Sequence, residues 1–309
     1  MTRAPQFGSG EPIPGMAGGG SSTVSAPAAD GGPLVLPAGA RKQIDGENFP
    51  VAMRVLPARL RRGLLALYAY ARYVDDIGDE FDGPRVEALE RIADQVRLLY
   101  AGGRPDLPVV AGLSVLRDAH GVPAQPFLDL IRANIVDQQV SRYPTFADLV
   151  AYCRLSADPV GRVVLHLVGR PAEHLITLSD RICTGLQIIE HLQDVGEDYR
   201  AGRIYLPQHD LRRYGVAESA LGEPRASAPL RALLRYQTDR AVAYLNAGAP
   251  LVSALHGWGR LAVAGFLAGG RAAAGAIRAA DYDVLGHDCS PSKRGIAAAY
   301  LRATVRTPG

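Results

Sequence analysis

The chain has 309 residues, which suits one large domain or two ordinary ones, and a compact fold of this size buries about 75% of its unfolded surface. Apolar residues make up 48% and charged residues 21%, as is ordinary for a soluble globular protein. A net charge of +3, with arginines spread along the chain, argues against a nucleic-acid partner. No stretch reaches the roughly 18 uninterrupted apolar residues of a membrane span.

The N-terminal part of the chain is unlike the rest in composition. Residues 1–44 are rich in glycine, proline, alanine and serine, and we predict a disordered tail there, without the layout of a signal peptide. We expect one ordered domain over 45–303 and a short tail over 304–309. The three cysteines, Cys153, Cys183 and Cys289, are widely spaced, which favours a reducing cytoplasm over a disulfide framework or a zinc site.

The chain after Pro57 is patterned as a series of helices. Pro57 suits a first helical turn, and apolar residues then recur at three- and four-residue spacing. Helices are predicted over residues 58–80, 83–102, 122–140, 145–169, 172–199, 229–248 and 259–285. No run shows convincing period-two alternation, and no Asn-Gly or Asp-Gly turn joins two such runs. We therefore predict an all-α single domain with eight or more helices.

An acidic cluster ends the first predicted helix, in the stretch YARYVDDIGDE. Asp75 and Asp79 are four residues apart, so they share a helix face with Cβ atoms about 5–6 Å apart, and Asp76 lies about 100° round the helix. Arg72 and Tyr68 follow the same stripe. Acidic side chains at a helix C-terminus interact unfavourably with the helix dipole, at a cost of roughly 0.3–1 kcal/mol each. Taken alone, this cluster fits either a solvated helix end or a cation site.

A second acidic stretch repeats the four-residue spacing far downstream. Asp194 and Asp198 frame Glu197 near the end of another long helical segment. Two carboxylate pairs on separate helices can face each other across a cavity. Magnesium uses a few carboxylates together with water and substrate phosphate, and it stabilises a departing diphosphate. The repulsion among the acids is tolerable if magnesium and diphosphate neutralise it, so the two stretches predict such a site.

These stretches resemble the paired aspartate motifs of the squalene and phytoene synthase family, the head-to-head trans-prenyl synthases. The resemblance covers about residues 45–295, in the segments ENFPVA, LYAYARYVDDIGDE, YCRLSADPVGRVVL, LQIIEHLQDVGEDYRAGRIYLP and YDVLGHDCSPSKR. A single Asp-x-x-x-Asp is a weak signal, whereas two at this separation, the second followed by GRIYLP, are specific. The resemblance implies an isoprenoid synthase helical bundle around a central cavity.

The family's pattern also implies roles for individual residues. The implied metal ligands, for a cluster of two or three Mg²⁺ ions, are Asp75, Asp76, Asp79, Glu190, Asp194 and Asp198. The implied catalytic residues are Asp75, Asp79, Asp194, Asp198, Tyr68 and Arg72, the last touching diphosphate. The implied substrate-binding residues are Phe49, Tyr152, Gly161, Gln187 and Arg203.

Several positions depart from that pattern or stay open. Glu190 and Asp158 stand where family members often have Asn, and a carboxylate at 190 can still bind metal but adds charge. Residues 268–274 lack the Tyr of the last core helix, which implies a wider or differently hydrated pocket. Pro159 cannot donate to a helical carbonyl, so a kink is expected that either shapes the pocket or only packs. His191 fits a structural role or a hydrogen bond near the second motif.

Within the family, ENFPVA, PVGRVVLHLVG and QDVGEDYRAGRIYLP are most similar to the bacterial hydroxysqualene synthase branch of hopanoid biosynthesis. This implies conversion of presqualene diphosphate and water to hydroxysqualene and diphosphate, without a reductant. No glycine-rich turn follows a strand, so no NADPH site is expected. Two alternatives stay open: condensation of two prenyl diphosphates to presqualene diphosphate or phytoene, and a non-catalytic subunit of a hopanoid enzyme assembly.

The expected partners follow from this chemistry. A prenyl diphosphate is the small-molecule substrate, and its apolar chain predicts shallow contact between a cytoplasmic protein and the inner membrane face. The basic C-terminal residues Lys293, Arg294, Arg302 and Arg306 can contribute to that contact. Other enzymes of the hopanoid pathway are candidate protein partners.

Overall fold

The structure is a computed structural model, and it describes residues 56–169 and 171–290, all within one compact unit. Phe49, both predicted tails and the basic residues between 293 and 306 lie outside the described residues. Within the described ranges the chain is helical, and its only β pairing is an isolated parallel bridge between Arg142 and Ile204. The predicted all-α class is confirmed.

Thirteen α-helices and one 3₁₀-helix follow one another in the described ranges. The first five are α1 (Ala58–Asp79), α2 (Arg85–Tyr100), α3 (Pro108–Ala111), α4 (Ser114–His120) and α5 (Gln125–Asp137). The next four are α6 (Phe146–Ser156), α7 (Asp158–Val168), α8 (Glu173–Gln193) and α9 (Val195–Arg200). The last are α10 (Gln208–Arg213), the 3₁₀-helix Glu218–Gly222, α11 (Ala228–Gly248), α12 (Pro250–Ala254) and α13 (Gly257–Ala279).

Local sequence signals account for several helix ends. Thr145 and Asp148 form a capping box at the start of α6, since Asp148 N–H donates to Thr145 Oγ1 at 3.3 Å and Thr145 N–H donates to Asp148 Oδ2 at 2.9 Å. Helix α13 ends at Ala279, six residues earlier than predicted. Asp281 and Tyr282 follow with φ of 51° and 59°, a left-handed conformation that does not continue a helix.

Two predicted helices are each divided into two. The segment 145–169 ends as α6 at Ser156 and begins again as α7 at Asp158, with Pro159 in the first turn of α7. The expected kink is therefore a full break. In the first turn of a helix a backbone N–H has no helical partner, so the missing N–H of Pro159 costs no hydrogen bond there. The segment 172–199 divides at Asp194, which ends α8 and begins α9.

Two apolar clusters form the core, and helix α7 belongs to both. The first cluster packs α1, α2, α4 and α5 around Tyr70 and Phe127, whose rings meet edge to face at 5.3 Å while Tyr70 Oη donates to the Phe127 carbonyl at 2.9 Å. The second cluster packs α6, α8, α11 and α13. Val163 and Leu167 of α7 join the first cluster and Leu165 joins the second, so α7 ties the two halves into one bundle.

None of the helices in the described part of the chain is long and apolar enough to cross a membrane.

Candidate active site

The first acidic motif (Asp75, Asp76 and Asp79) lies at the C-terminal end of α1, beside α5. Asn134 Nδ2 of α5 donates to Asp75 Oδ1 at 3.0 Å, and Arg72 Nη2 lies 2.8 Å from Asp76 Oδ1. Asp75 reaches solvent, yet protein surrounds its carboxylate on most sides. This desolvation raises the pKa of Asp75, the Asn134 hydrogen bond opposes the rise, and the charge of Asp79 adds to it.

The second acidic motif (Asp194 and Asp198) spans the junction of α8 and α9. Asp198 N–H donates to the Asp194 carbonyl at 2.8 Å, so helical spacing persists across the break. Burial raises the pKa of Asp198 to about 7, with Arg203 opposing and Asp194 adding to the rise. Burial and the charge of Glu197 also raise the pKa of Asp194. Burial thus makes the ionised forms of both carboxylates unfavourable, and a cation bound beside them would offset that cost.

Arg203 joins the two motifs, although Asp79 lies 124 residues away in the chain. Arg203 Nη1 lies 2.8 Å from Asp79 Oδ1, and Arg203 N–H donates to the Asp198 carbonyl at 2.8 Å. Burial alone would lower the pKa of Arg203, but the Asp79 hydrogen bond and nearby acids raise it above its ordinary value. The guanidinium is therefore charged, and its Nε is buried without a hydrogen-bond partner in the structure.

A third carboxylate, Asp137 at the end of α5, lies between the two motifs. Tyr152 Oη donates to Asp137 Oδ2 at 2.5 Å, and Tyr205 Oη donates to Asp137 Oδ1 at 3.3 Å. Burial raises the pKa of Asp137 to about 6, while these phenols and Arg203 oppose the rise and Asp79 adds to it. Asp137 also raises the pKa of Asp198, so its charge acts on both motifs.

His191 occupies the space between the aromatic cluster and the second motif. Its ring stacks on Tyr205 with centroids 3.7 Å apart and planes 12° apart. Gln187 Nε2 lies 3.4 Å from His191 Nε2, and Asp198 Oδ2 lies 4.0 Å from His191 Nδ1. Burial lowers the pKa of His191 to about 3, so the imidazole is neutral at physiological pH. The packing of His191 supports the structural interpretation, because 4.0 Å is too long for a hydrogen bond to Asp198.

An apolar cavity of about 210 Å³ lies between α7, α8, α12 and α13, and Gly161, Gln187 and Glu190 line it. Gly161 is needed for the close approach of α7 to α8, because a Cβ there would lie 2.5 Å from both Cys183 Sγ and Ser179 Oγ. Glu190 also lines a polar cleft of about 850 Å³ that contains Asp194. The apolar cavity and the second motif therefore meet at Glu190.

The predicted site residues fall into three groups. Those at the acidic motifs are Arg72, Asp75, Asp76, Asp79, Asp194, Asp198 and Arg203. Those on the apolar cavity are Gly161, Gln187 and Glu190. Tyr152 is buried in the aromatic cluster, Tyr68 is half-buried on α1 one turn before Arg72, and Phe49 lies outside the described residues.

The carboxylates suit magnesium as pairs that supply part of its coordination, and they do not form a complete set of ligands around one ion. No group of three or more His, Cys, Asp or Glu side chains in the described ranges is arranged to hold a metal ion alone. Magnesium usually keeps several waters and takes one or two carboxylates plus substrate phosphate. Burial first, and neighbouring acids second, raise the pKa values of Asp75, Asp194 and Asp198, and a bound cation would offset both effects. The donor set therefore suits a cation that arrives with diphosphate.

Sequence reasoning missed Asp137, Tyr205 and Asn134. A signal for Asp137 was present, because it follows Leu130 and Ala133 at helical spacing on the core-facing side of α5. An acid on an apolar stripe indicates a partnered or functional carboxylate. No local pattern marks Tyr205 or Asn134, whose importance comes from contacts with residues far away in the chain.

An all-α bundle in which one arginine links two distant Asp-x-x-x-Asp motifs, and an apolar cavity reaches the second motif at Glu190, is the arrangement expected of a prenyl synthase. The model of the squalene/phytoene synthase family matches residues 44–295, and the chain belongs to this family of enzymes. A hydroxysqualene synthase of Zymomonas mobilis is 34% identical over 213 residues, which cover 68% of this chain and 71% of that protein.

Two further relatives extend the comparison. A presqualene diphosphate synthase of Rhodopseudomonas palustris is 32% identical over 206 residues, covering 65% of this chain and 73% of that protein. The crystal structure of squalene synthase HpnC from Alicyclobacillus acidocaldarius is 36% identical with a TM-score of 0.72, covering 80% of this chain and 97% of that one. The family and fold are thus shared by relatives whose names give different reactions.

Proposed function

We propose that this enzyme converts presqualene diphosphate and water to hydroxysqualene and diphosphate, in a reaction that depends on Mg²⁺ and needs no NADPH. The observation that carries the proposal is that Arg203 pairs with Asp79 of the first motif and also acts electrostatically on Asp198 of the second. Similarity to a protein named hydroxysqualene synthase supports this product over others of the family.

In the proposed reaction the bond between the cyclopropylcarbinyl carbon and the diphosphate oxygen breaks, and the electron pair leaves with diphosphate. When bound to the acidic motifs, Mg²⁺ would neutralise the carboxylates and stabilise the charge of the leaving group. Asp75, Asp79, Asp194 and Asp198 are the residues that would hold it. Arg203 pairs with Asp79 and acts electrostatically on Asp198, so its positive charge would add to that of the metal on the leaving diphosphate.

The remaining steps require an apolar space with controlled access of water. The cation left after ionisation rearranges, and one water adds its oxygen to carbon while it loses a proton. Apolar walls such as Val164 and Leu186 would disfavour bulk water, and Glu190 gives the cavity a polar end. The volume of about 210 Å³ lies below the roughly 300–1,000 Å³ of ordinary ligand sites, so a thirty-carbon chain requires the cavity to open.

Condensation of two prenyl diphosphates is the second candidate function, and similarity to a presqualene diphosphate synthase favours it. The two reactions share the ionisation step and differ in what captures the cation: water in the first, the double bond of a second substrate in the other. A non-catalytic role in an assembly of hopanoid enzymes has no comparable support, because both acidic motifs are complete.

The two reactions can be separated by product analysis. Purified protein is incubated with presqualene diphosphate, Mg²⁺ and ¹⁸O-labelled water, without NADPH, and the products are analysed by mass spectrometry. We expect hydroxysqualene with one ¹⁸O atom, and its loss when EDTA removes the metal. Turnover of farnesyl or geranylgeranyl diphosphate, with no turnover of presqualene diphosphate, would establish the condensing reaction instead.

A further inference from the structure

Two large apolar side chains are exposed together at the start of α13. Trp258 is 38% and Leu261 is 43% exposed, among only five large apolar residues that are so exposed in the described ranges. Residues three apart on a helix point in similar directions, so the two side chains form one apolar projection. Solvent contact of this kind is unfavourable unless another apolar phase covers it.

The projection lies beside the wall of the apolar cavity. Val263 and Phe266, in the next turns of α13, line that cavity. Gly259, between Trp258 and Leu261, packs on the end of α7: a Cβ there would lie 2.9 Å from Val168 Cβ. Val164, one turn earlier in α7, lines the cavity as well. The exposed pair therefore lies on the solvent-facing side of the same helix whose next turns line the cavity.

A basic helical turn flanks the same end of α7. Gly63 of α1 packs against Leu167, the neighbour of Val168. The residues that precede it include Arg59, Arg61 and Arg62, of which Arg59 and Arg62 are exposed. Arg59 donates to the Ala119 carbonyl, which is an uncharged acceptor. Exposed cations and exposed apolar side chains thus surround one end of one helix.

We propose that this end of the molecule (Trp258, Leu261, Arg59 and Arg62, called the docking end) binds the surface of an anionic lipid bilayer. Tryptophan favours the bilayer interface, leucine enters the acyl boundary, and arginine attracts anionic headgroups. Two apolar side chains are too few for a stable second copy, since a specific protein interface buries about 800 Å² per partner. Binding of the docking end to lipid does not depend on the proposed function. Transfer of an apolar substrate from the bilayer to the cavity does rest on it.

Trp258 makes the binding measurable, because it is the only tryptophan in the chain. The full chain is titrated with vesicles of phosphatidylcholine, with and without phosphatidylglycerol, and Trp fluorescence and cosedimentation are recorded. We expect a blue shift and protection from acrylamide with the anionic vesicles, both weakened by salt. Emission that is the same with and without vesicles would overturn the proposal. So would a blue shift that follows protein concentration without lipid, since it would indicate self-association.

Variants that keep the probe test the surface itself. Leu261→Asp and Arg62→Glu should each raise the lipid concentration for half-maximal binding, by about tenfold or more for Leu261→Asp. Leu98→Asp is the matched control, because Leu98 on α2 is 40% exposed and distant in the chain from the docking end. Equal effects of Leu98→Asp and Leu261→Asp would contradict the assignment.

Activity separates this inference from the proposed function. Leu261→Asp should turn over detergent-dispersed presqualene diphosphate at the wild-type rate and lose most turnover of the same substrate in vesicles. If wild-type protein binds vesicles but never converts the substrate, the proposed function fails and the docking surface stands. Equal loss of turnover in detergent and in vesicles would instead show that the substitution damages the enzyme, and Arg62→Glu then decides the docking question through binding alone.

Discussion

Tyr152 donates a 2.5 Å hydrogen bond to Asp137, and this contact anchors a buried aromatic cluster beside the second acidic motif. Tyr143, Tyr152 and Tyr205 lie with ring centroids 5.4–5.6 Å apart. A carboxylate in such surroundings is unfavourable without donors. Here two phenols supply them, so Asp137 is held in one orientation between Asp79 and Asp198.

Tyr152→Phe should therefore destabilise the protein. The variant removes one of the two donors to Asp137 and leaves a buried carboxylate less well satisfied, so we expect the free energy of unfolding to fall by about 1–3 kcal/mol. Urea unfolding at neutral pH measures it. Asp94→Asn is the control, since Asp94 is exposed and pairs only with Arg97 in the structure, and its effect should stay within about 0.5 kcal/mol. Equal unfolding curves for the two variants would show that the contact contributes nothing.

The acidic motifs predict a loss of activity without a loss of fold. Asp79→Asn and Asp198→Asn each remove a charge that the proposed metal and diphosphate site requires, and turnover should fall by about 100-fold or more. Circular dichroism should be unchanged. Glu80→Gln is a matched control because Glu80 adjoins Asp79 but lies 71% exposed, and it should keep near-normal turnover. Wild-type activity in both Asp variants would refute the motif assignment.

The sequence predicts those features that depend on local periodicity and misses those that depend on distant contacts. Helix α1 and the break at Pro159 were predictable, because apolar spacing and the missing N–H of proline act over one or two turns. The ion pair between Arg203 and Asp79 and the role of Asp137 were not, since residues from three different helices and loops create them. The resemblance to the family supplied Arg203 as a site residue but not its partner.

The close approach of α7 and α8 predicts that Gly161→Ala is destabilising. The added methyl group meets the side chains of Cys183 and Ser179, so these must rotate or the helices must separate, at a cost of about 1–3 kcal/mol in unfolding free energy. Thermal unfolding measures it, and Ser179→Gly in the Gly161→Ala background should recover part of the loss. Gly269→Ala on α13 is the control: no atom of the described residues lies within 4 Å of a Cβ there, so alanine should be neutral or stabilise the helix by up to about 1 kcal/mol. Similar losses at both positions would rule out the clash as the cause.

The buried carboxylate of Asp158 predicts a pH-dependent effect. Thr184 Oγ1 donates to Asp158 Oδ1 at 3.0 Å, and Arg162 and Asp180 form an ion pair at 2.9 Å nearby. Burial, and then the charge of Asp180, raises the pKa of Asp158 to about 7. Because the folded protein holds this proton more tightly than the unfolded chain, whose Asp pKa is about 3.9, the contribution of Asp158 to stability is complete at low pH. It is lost as pH rises towards 7.

Asp158→Asn removes that titration and keeps an oxygen that can accept from Thr184. Relative to wild type, the variant should therefore gain unfolding free energy between about pH 4 and pH 7, by on the order of 1–4 kcal/mol, and the gain should be constant above that range. Urea unfolding across this range measures the difference in unfolding free energy between variant and wild type. Other titrating groups contribute equally to both proteins and therefore cancel. Asp94→Asn, an exposed carboxylate, should give a curve parallel to wild type. If the Asp158→Asn curve is parallel as well, Asp158 is ionised in the folded protein at every pH tested, and its burial does not control its charge.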